Sequence, residues 1–140
     1  MIDTLYAALE AIGFSHPLHP ILVHLPMGMV VGTTLFALAA LLSRKDSLNT
    51  TAAHCTALAL IFIGPTIITG LLDWQARMGG ELETLIIVKI VLALLLTGLL
   101  TTAVIFRARG ASARQLLILY LLCLVCAGGL GFSGGELAYG

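Results

Sequence analysis

Charge is what this sequence has least of. Seven Lys or Arg and seven Asp or Glu make up 10% of its 140 residues, and they cancel. A soluble globular domain carries about 25% charged residues, so this chain cannot clothe a water-facing surface. The lack of any basic patch or tail argues against nucleic-acid binding. Cysteine is scarce too. Cys55, Cys123 and Cys126 all lie in apolar runs, which excludes a secreted disulfide framework. No nucleophile sits beside a plausible base, so hydrolytic chemistry is not expected.

What fills the chain instead is apolar sequence: 59% of residues are hydrophobic and the mean hydropathy is +1.08. Four apolar runs, near 21–43, 52–73, 83–106 and 114–133, each approach or exceed the roughly 20 helical residues that cross a bilayer core. The connectors SRKDSLNT (43–50), WQARMGGE (74–81) and RARGASA (107–113) are short, so successive helices should be antiparallel neighbours. The expected fold is an all-α, four-transmembrane-helix up-down bundle forming one domain over 1–140. The segment IDTLYAALEAIGF (2–14) reads as a short interfacial amphipathic helix with Leu5, Leu9 and Ile12 on its apolar side.

Positive charge is uneven. Arg44 and Lys45 mark the first connection, and Arg107, Arg109 and Arg114 the third, whereas the second has only Arg77 against Glu81 and Glu83. The positive-inside rule then places the first and third connections in the cytoplasm and both termini outside, in the periplasm of a bacterial inner membrane. The first span lacks a basic segment before it, so it reads as a retained helix rather than a cleaved signal.

This orientation gathers the ionisable groups at the outer level. Residues 16–26 read HPLHPILVHLP, with His16 and His19 in the entry loop and His24 a turn inside the first span. Asp73 and Trp74 end the second span, Glu81 and Glu83 precede the third, Lys89 lies about two turns further in, and Glu136 and Tyr139 close the chain. His54 alone lies at the other level. Intramembrane charge is costly and commonly faces a partner, a cavity or a cofactor. His24 is followed at i+4 spacing by Gly28 and Gly32, which leaves room either for a flat ligand or for a close helix neighbour. His16 and His19 each precede a proline, which stiffens an extended entry; with His24 they also make a metal-ligand set, since imidazole is the commonest metal ligand. Lys89 and Asp73 are expected to form an interhelical ion pair, or Lys89 meets a haem propionate or quinone oxygen. Asp73 can alternatively cap a helix or orient a histidine. Cys123 and Cys126 share a helix face, and their apolar setting favours packing over metal or redox work. The glycines at 128, 129, 131, 134 and 135 thin the outer half of the fourth helix, and Pro26 and Pro65 are possible kinks.

HPLHPILVHLP, TGLLDW (69–74) and GGELAY (134–139) together resemble a bacterial family of four-helix membrane proteins known as domain of unknown function 2231. The resemblance runs over nearly the whole chain in the same order. It implies His16, His19, His24, Asp73 and Glu136 as the positions carried over. Members often neighbour or are fused to cytochromes and other periplasmic redox proteins, which implies electron transfer. Two departures stand out. Relatives often have a histidine early in the third helix, where this chain has Lys89, and many close on Tyr-x-His-Gly, where this chain has AYG.

The expectation is therefore a membrane subunit of a respiratory or other redox complex, an electron-transfer rather than catalytic part of an oxidoreductase. Its histidine-rich periplasmic side would hold haem b, a metal ion or a quinone through His24, His19, His16 and Lys89, with Asp73, Glu136, Gly28 and Gly32 supporting. Its partners would be the lipid bilayer and other redox subunits such as a cytochrome. The alternative is a cofactor-free structural or assembly subunit anchoring a larger complex. A transporter ranks last, because no continuous polar stripe lines the inner half.

Overall fold

The fold is that of a computed structural model describing residues 2–139, apart from the side chains of Asp3, Ala138 and Tyr139. Five helices follow one another: α1 Ile2–Ala11, α2 His19–Ser43, α3 Asp46–Arg77, α4 Thr84–Ala108 and α5 Ala113–Tyr139. The last four are each long and apolar enough to cross a membrane. They form a closed ring in which α2 packs on α3 and α5, and α4 packs on the same two, while α1 lies against α3. This is the expected up-down bundle.

The packing follows the physics of a lipid-exposed bundle, where small residues let helices approach and large ones face lipid. Helix α2 buries Val30, Thr33, Thr34, Ala37 and Ala40, and α3 buries Ala52, Thr56, Ala59, Ile63 and Thr66. Leu35, Leu42, Ile61, Leu94, Val125 and Phe132 are exposed. Hydroxyls stitch the interfaces: Thr33 Oγ1 lies 3.3 Å from Thr56 Oγ1, and Thr34 Oγ1 donates to the Tyr120 carbonyl at 3.3 Å. Cys123 and Cys126 sit in the apolar core with Val30, Ile63, Leu96 and Leu100, and Cys126 Sγ reaches the Leu92 carbonyl at 3.2 Å.

The helices outrun the apolar runs. Helix α3 begins at Asp46, so DSLNTT is helix, and the first link shrinks to Arg44 and Lys45, with Arg44 in the left-handed region at φ 54°. Helix α5 continues through its glycines to Tyr139 rather than stopping near 133. Hydropathy marks where lipid begins, not where hydrogen bonding ends, and a backbone near lipid keeps its helical bonds whatever its side chains. The third link closes on a capping box: Ser112 N–H donates to Gln115 Oε1 at 3.0 Å, and Gln115 N–H donates back to Ser112 Oγ at 3.4 Å. Pro26 and Pro65 lie inside α2 and α3 without ending them.

Helix α1 ends at Ala11, and the turn that follows passes through Gly13, whose φ of 83° suits glycine. Leu5 and Ile12 are exposed, and among the described side chains of α1 the buried one is Tyr6.

Candidate functional site

The end of the bundle that carries α1 is organised around one carboxylate. Asp73, on α3, is only 9% exposed. Its Oδ1 accepts from the Tyr6 hydroxyl and from the Leu18 N–H at 3.1 Å, and its Oδ2 accepts from the His19 N–H at 2.7 Å. Leu18 and His19 open α2, whose first N–H groups have no partner within their own helix. Helix α2 has no side-chain cap of its own, and Pro20 stands in its first turn. Asp73 therefore caps α2 from a neighbouring helix, and its negative charge suits the positive end of the α2 dipole. Burial, and then the bond to Asp73, push the Tyr6 phenol up to about 12. Arg77, one turn on, donates to the Ser15 carbonyl at 2.8 Å and stands 5.8 Å from the centre of the Tyr6 ring. Asp73 and Arg77 thus bind both α1 and the 12–18 loop to α3.

His19 is locked by the same helix. Its Nδ1 lies 3.0 Å from the Thr66 carbonyl. A carbonyl only accepts, so Nδ1 carries the proton and the neutral ring keeps a lone pair on Nε2. Thr66, Gly70 and Asp73 lie on one face of α3. A Cβ at Gly70 would stand 3.0 Å from His19 Nδ1 and 3.3 Å from Cε1, so only glycine admits the ring where it lies. The G-x-x-D of TGLLDW is thereby explained: the glycine seats the His19 ring while the aspartate holds its backbone.

His16 and His24 lie elsewhere. His16 is exposed on the entry loop, its ring centre 6.1 Å from that of Phe14. His24 is exposed on α2, and its Nδ1 donates to the Pro20 carbonyl one turn back, so that in the neutral ring the lone pair sits on Nε2. His19 and His24, five residues apart on one helix, point about 140° away from each other. The structure does not bring the three imidazoles together, and among the described residues no three His, Cys, Asp or Glu side chains stand in a metal-binding group. A bis-histidine haem held by His19 and His24 does not fit this placement, because its two imidazoles must oppose each other across one ring. Gly28 is exposed and a Cβ there would meet nothing within 4 Å, whereas one at Gly32 would stand 3.5 Å from Cys55 Sγ; the two glycines do not act as one packing groove. An open depression of about 430 Å³ lies on the outer side of the entry, lined by Gly13, Phe14, His16, Pro17, Pro20 and Ile21. His24 follows Pro20 by one turn on that helix face.

The expected Asp73–Lys89 ion pair is not formed. The carboxylate is taken up by Tyr6, Leu18 and His19, since two backbone N–H groups at a helix start meet it without the cost of ordering a long lysine side chain. Lys89 instead lies half-buried with Nζ beside Gly134 of α5, 3.8 Å from where a Cβ would stand. Glu136 is exposed on α5. Trp74 Nε1 donates to the Glu81 carbonyl at 2.8 Å and so holds the second link. His54, near the start of α3, is roughly 30 Å from Asp73 along that helix. Sequence reasoning missed Tyr6, Thr66, Gly70 and Arg77. Stepping back from Asp73 by three and seven residues would have found Gly70 and Thr66, but nothing local marked Tyr6 as their partner across 67 residues.

No curated protein and no solved structure matches the chain. A family model does, over residues 15–140, from just before the capped entry of α2 through the end of α5. The chain belongs to the family described as predicted membrane protein, DUF2231.

Proposed function

We propose that this protein is a multi-pass inner-membrane subunit of a redox complex, with both termini periplasmic, that presents His24 to a neighbouring subunit as a ligand-ready imidazole. The observation that carries this reading is the state of His24. Its Nδ1–H is engaged by the Pro20 carbonyl, its Nε2 lone pair is free to coordinate, and the residue is exposed on the bundle's outside. Histidines that bind metals or haem iron commonly have the far ring nitrogen fixed this way. The second ligand of a shared haem b would come from the partner, which agrees with His19 turning into α3 while His24 faces outward. The orientation follows from Arg44, Lys45, Arg107, Arg109 and Arg114 at the opposite end. The Asp73 lock supports the same role, because a rigid α2 entry holds His24 in place.

The test is an absorption spectrum of the protein, alone and in its native complex, before and after dithionite. A reduced-minus-oxidised haem band in the complex that is lost on His24→Ala, with the protein still inserted and assembled, is the expected result. A wild-type spectrum and wild-type electron transfer in the variant would sink the ligand role. The Asp73 lock also favours a second reading, since it uses its polar groups on internal bonds: a cofactor-free anchoring subunit. Absence of any haem band in a complex that needs this chain for assembly would select it.

A further inference from the structure

The end of the bundle away from α1 carries a cleft that the packing does not fill. It lies in the seam between α3 and α4, the loosest between neighbouring spanning helices, and has a volume of about 250 Å³. Ala53 and Ala57 of α3 line one side, and Ala103, Val104 and Ala108 of α4 the other. The i, i+4 spacing puts the residues of each wall on one helix face. Alanine stops at Cβ, so these walls stay apart where larger side chains would meet. An empty apolar gap forfeits its dispersion contacts, and beside a spanning bundle the hydrocarbon that can fill it is lipid.

Two polar groups border the same cleft. Arg107 stands exposed in the last turn of α4, and no hydrogen bond or ion pair among the described residues holds its guanidinium. Tyr120 reaches the cleft from α5 and is only 3% exposed. Thr56, its polar neighbour in the wall, is satisfied elsewhere: its Oγ1 donates to the Ala52 carbonyl at 2.8 Å and lies 3.3 Å from Thr33 Oγ1. The Tyr120 carbonyl accepts from Thr34, but its O–H joins no hydrogen bond among the described residues. No fully enclosed side-chain oxygen there lacks a partner, so the Tyr120 oxygen opens onto the cleft. Arg44, Lys45, Arg109 and Arg114 add positive charge at this end, against Asp46 alone.

These features select a ligand class step by step. A free phosphate would meet Arg107 but leave the apolar walls bare, and a neutral alkane would leave both polar groups unused. A fatty acid has one acceptor group, its carboxylate, and offers nothing to Tyr120 beneath it. A glycerophospholipid carries a phosphate for the guanidinium, ester carbonyls below it for a hydroxyl donor, and then an alkyl chain. The surrounding cations disfavour a headgroup that holds an ammonium of its own, and basic pockets between spanning helices are a known setting for anionic headgroups. We propose that the α3–α4 cleft binds one anionic glycerophospholipid, with its phosphate on Arg107, an ester carbonyl on the Tyr120 hydroxyl and an acyl chain between Ala53, Ala57 and Val104.

The test titrates the full-length protein, washed free of co-purified lipid in detergent, with phosphatidylglycerol and counts bound lipids by native mass spectrometry. One saturable lipid is expected. Phosphatidylcholine and oleate should each bind at least about tenfold more weakly. Arg107→Gln should weaken phosphatidylglycerol binding about ten- to hundredfold, the worth of a hydrogen bond to a charged group, and Tyr120→Phe about two- to tenfold, that of a neutral one. Ala57→Leu keeps both polar groups and should block binding by filling the cleft. Arg109→Gln removes the same charge from the same end but outside the cleft, and screening should hold its effect under about twofold. No saturable binding, equal binding of phosphatidylcholine or oleate, or a loss with Arg109→Gln equal to that with Arg107→Gln would each overturn the site. So would binding untouched by Ala57→Leu or Tyr120→Phe. The cleft lies at the opposite end from His24, so its failure would not bear on the ligand role, nor would a spectrum without haem bear on the cleft.

Discussion

Asp73 Oδ2 lies 2.7 Å from the backbone nitrogen of His19, 54 residues away in sequence. One carboxylate therefore ends the hydrogen-bond deficit of a helix to which it does not belong. Removing it costs that cap and also the Tyr6 tether. Asp73→Ala is expected to destabilise the protein by about 2–4 kcal/mol, the worth of a lost N-cap plus a charged hydrogen bond. Asp73→Asn, which keeps one acceptor oxygen, should lose less. The check is thermal unfolding in detergent together with hydrogen exchange, where the amides of residues 2–19 should lose protection before those of α4 do.

Tyr6 gives the same lock a pH signature. Its phenol rises from an ordinary 10.0 to about 12, through burial first and the Asp73 bond second. A raised folded-state value means that the neutral form is favoured on folding, so this contribution is complete below pH 10. It is lost as pH climbs from 10 towards 12. The wild-type protein should thus show a steeper alkaline loss of stability than Tyr6→Phe, which has no phenol to ionise. Parallel curves for the two proteins over that window would mean that Tyr6 is not held as described.

The four spans were legible because hydropathy measures bilayer thickness almost directly. The true ends of α3 and α5 were not, since DSLNTT and GGELAY are polar or glycine-rich yet remain helical. The crowd of histidines at 16–24 was equally plain, but a list of neighbours in sequence says nothing of direction. His19 turns into α3 while His24 turns out, a consequence of five residues at 100° each. The partner of Asp73 was misjudged for a physical reason. Charge balance in a membrane points to Lys89, whereas the competing claim came from backbone N–H groups, which every residue near a helix start has and which no side-chain pattern reveals.

That correction carries its own prediction. Because Asp73 and Lys89 share no bond, Lys89→Met and Asp73→Asn should destabilise independently. In a double-mutant cycle read by unfolding in detergent, their sum should match the double variant within about 0.5 kcal/mol. A coupling above 1 kcal/mol would mean that the two meet after all.

Gly70 and His19 should behave in the opposite way. A Cβ at Gly70 would press on the imidazole at 3.0 Å, so Gly70→Ala must displace the ring and strain its bond to Thr66, costing about 1–2 kcal/mol. In a His19→Ala background the ring is gone, and the same change should become neutral or favourable, because alanine is the better helix former by about 1 kcal/mol. Gly28→Ala and Gly64→Ala serve as controls: a Cβ at either meets nothing within 4 Å, so neither should destabilise the protein. If Gly70→Ala were as harmless as these two, the G-x-x-D pair would have no role in seating His19, and the geometry of the α2 entry would rest on Asp73 alone.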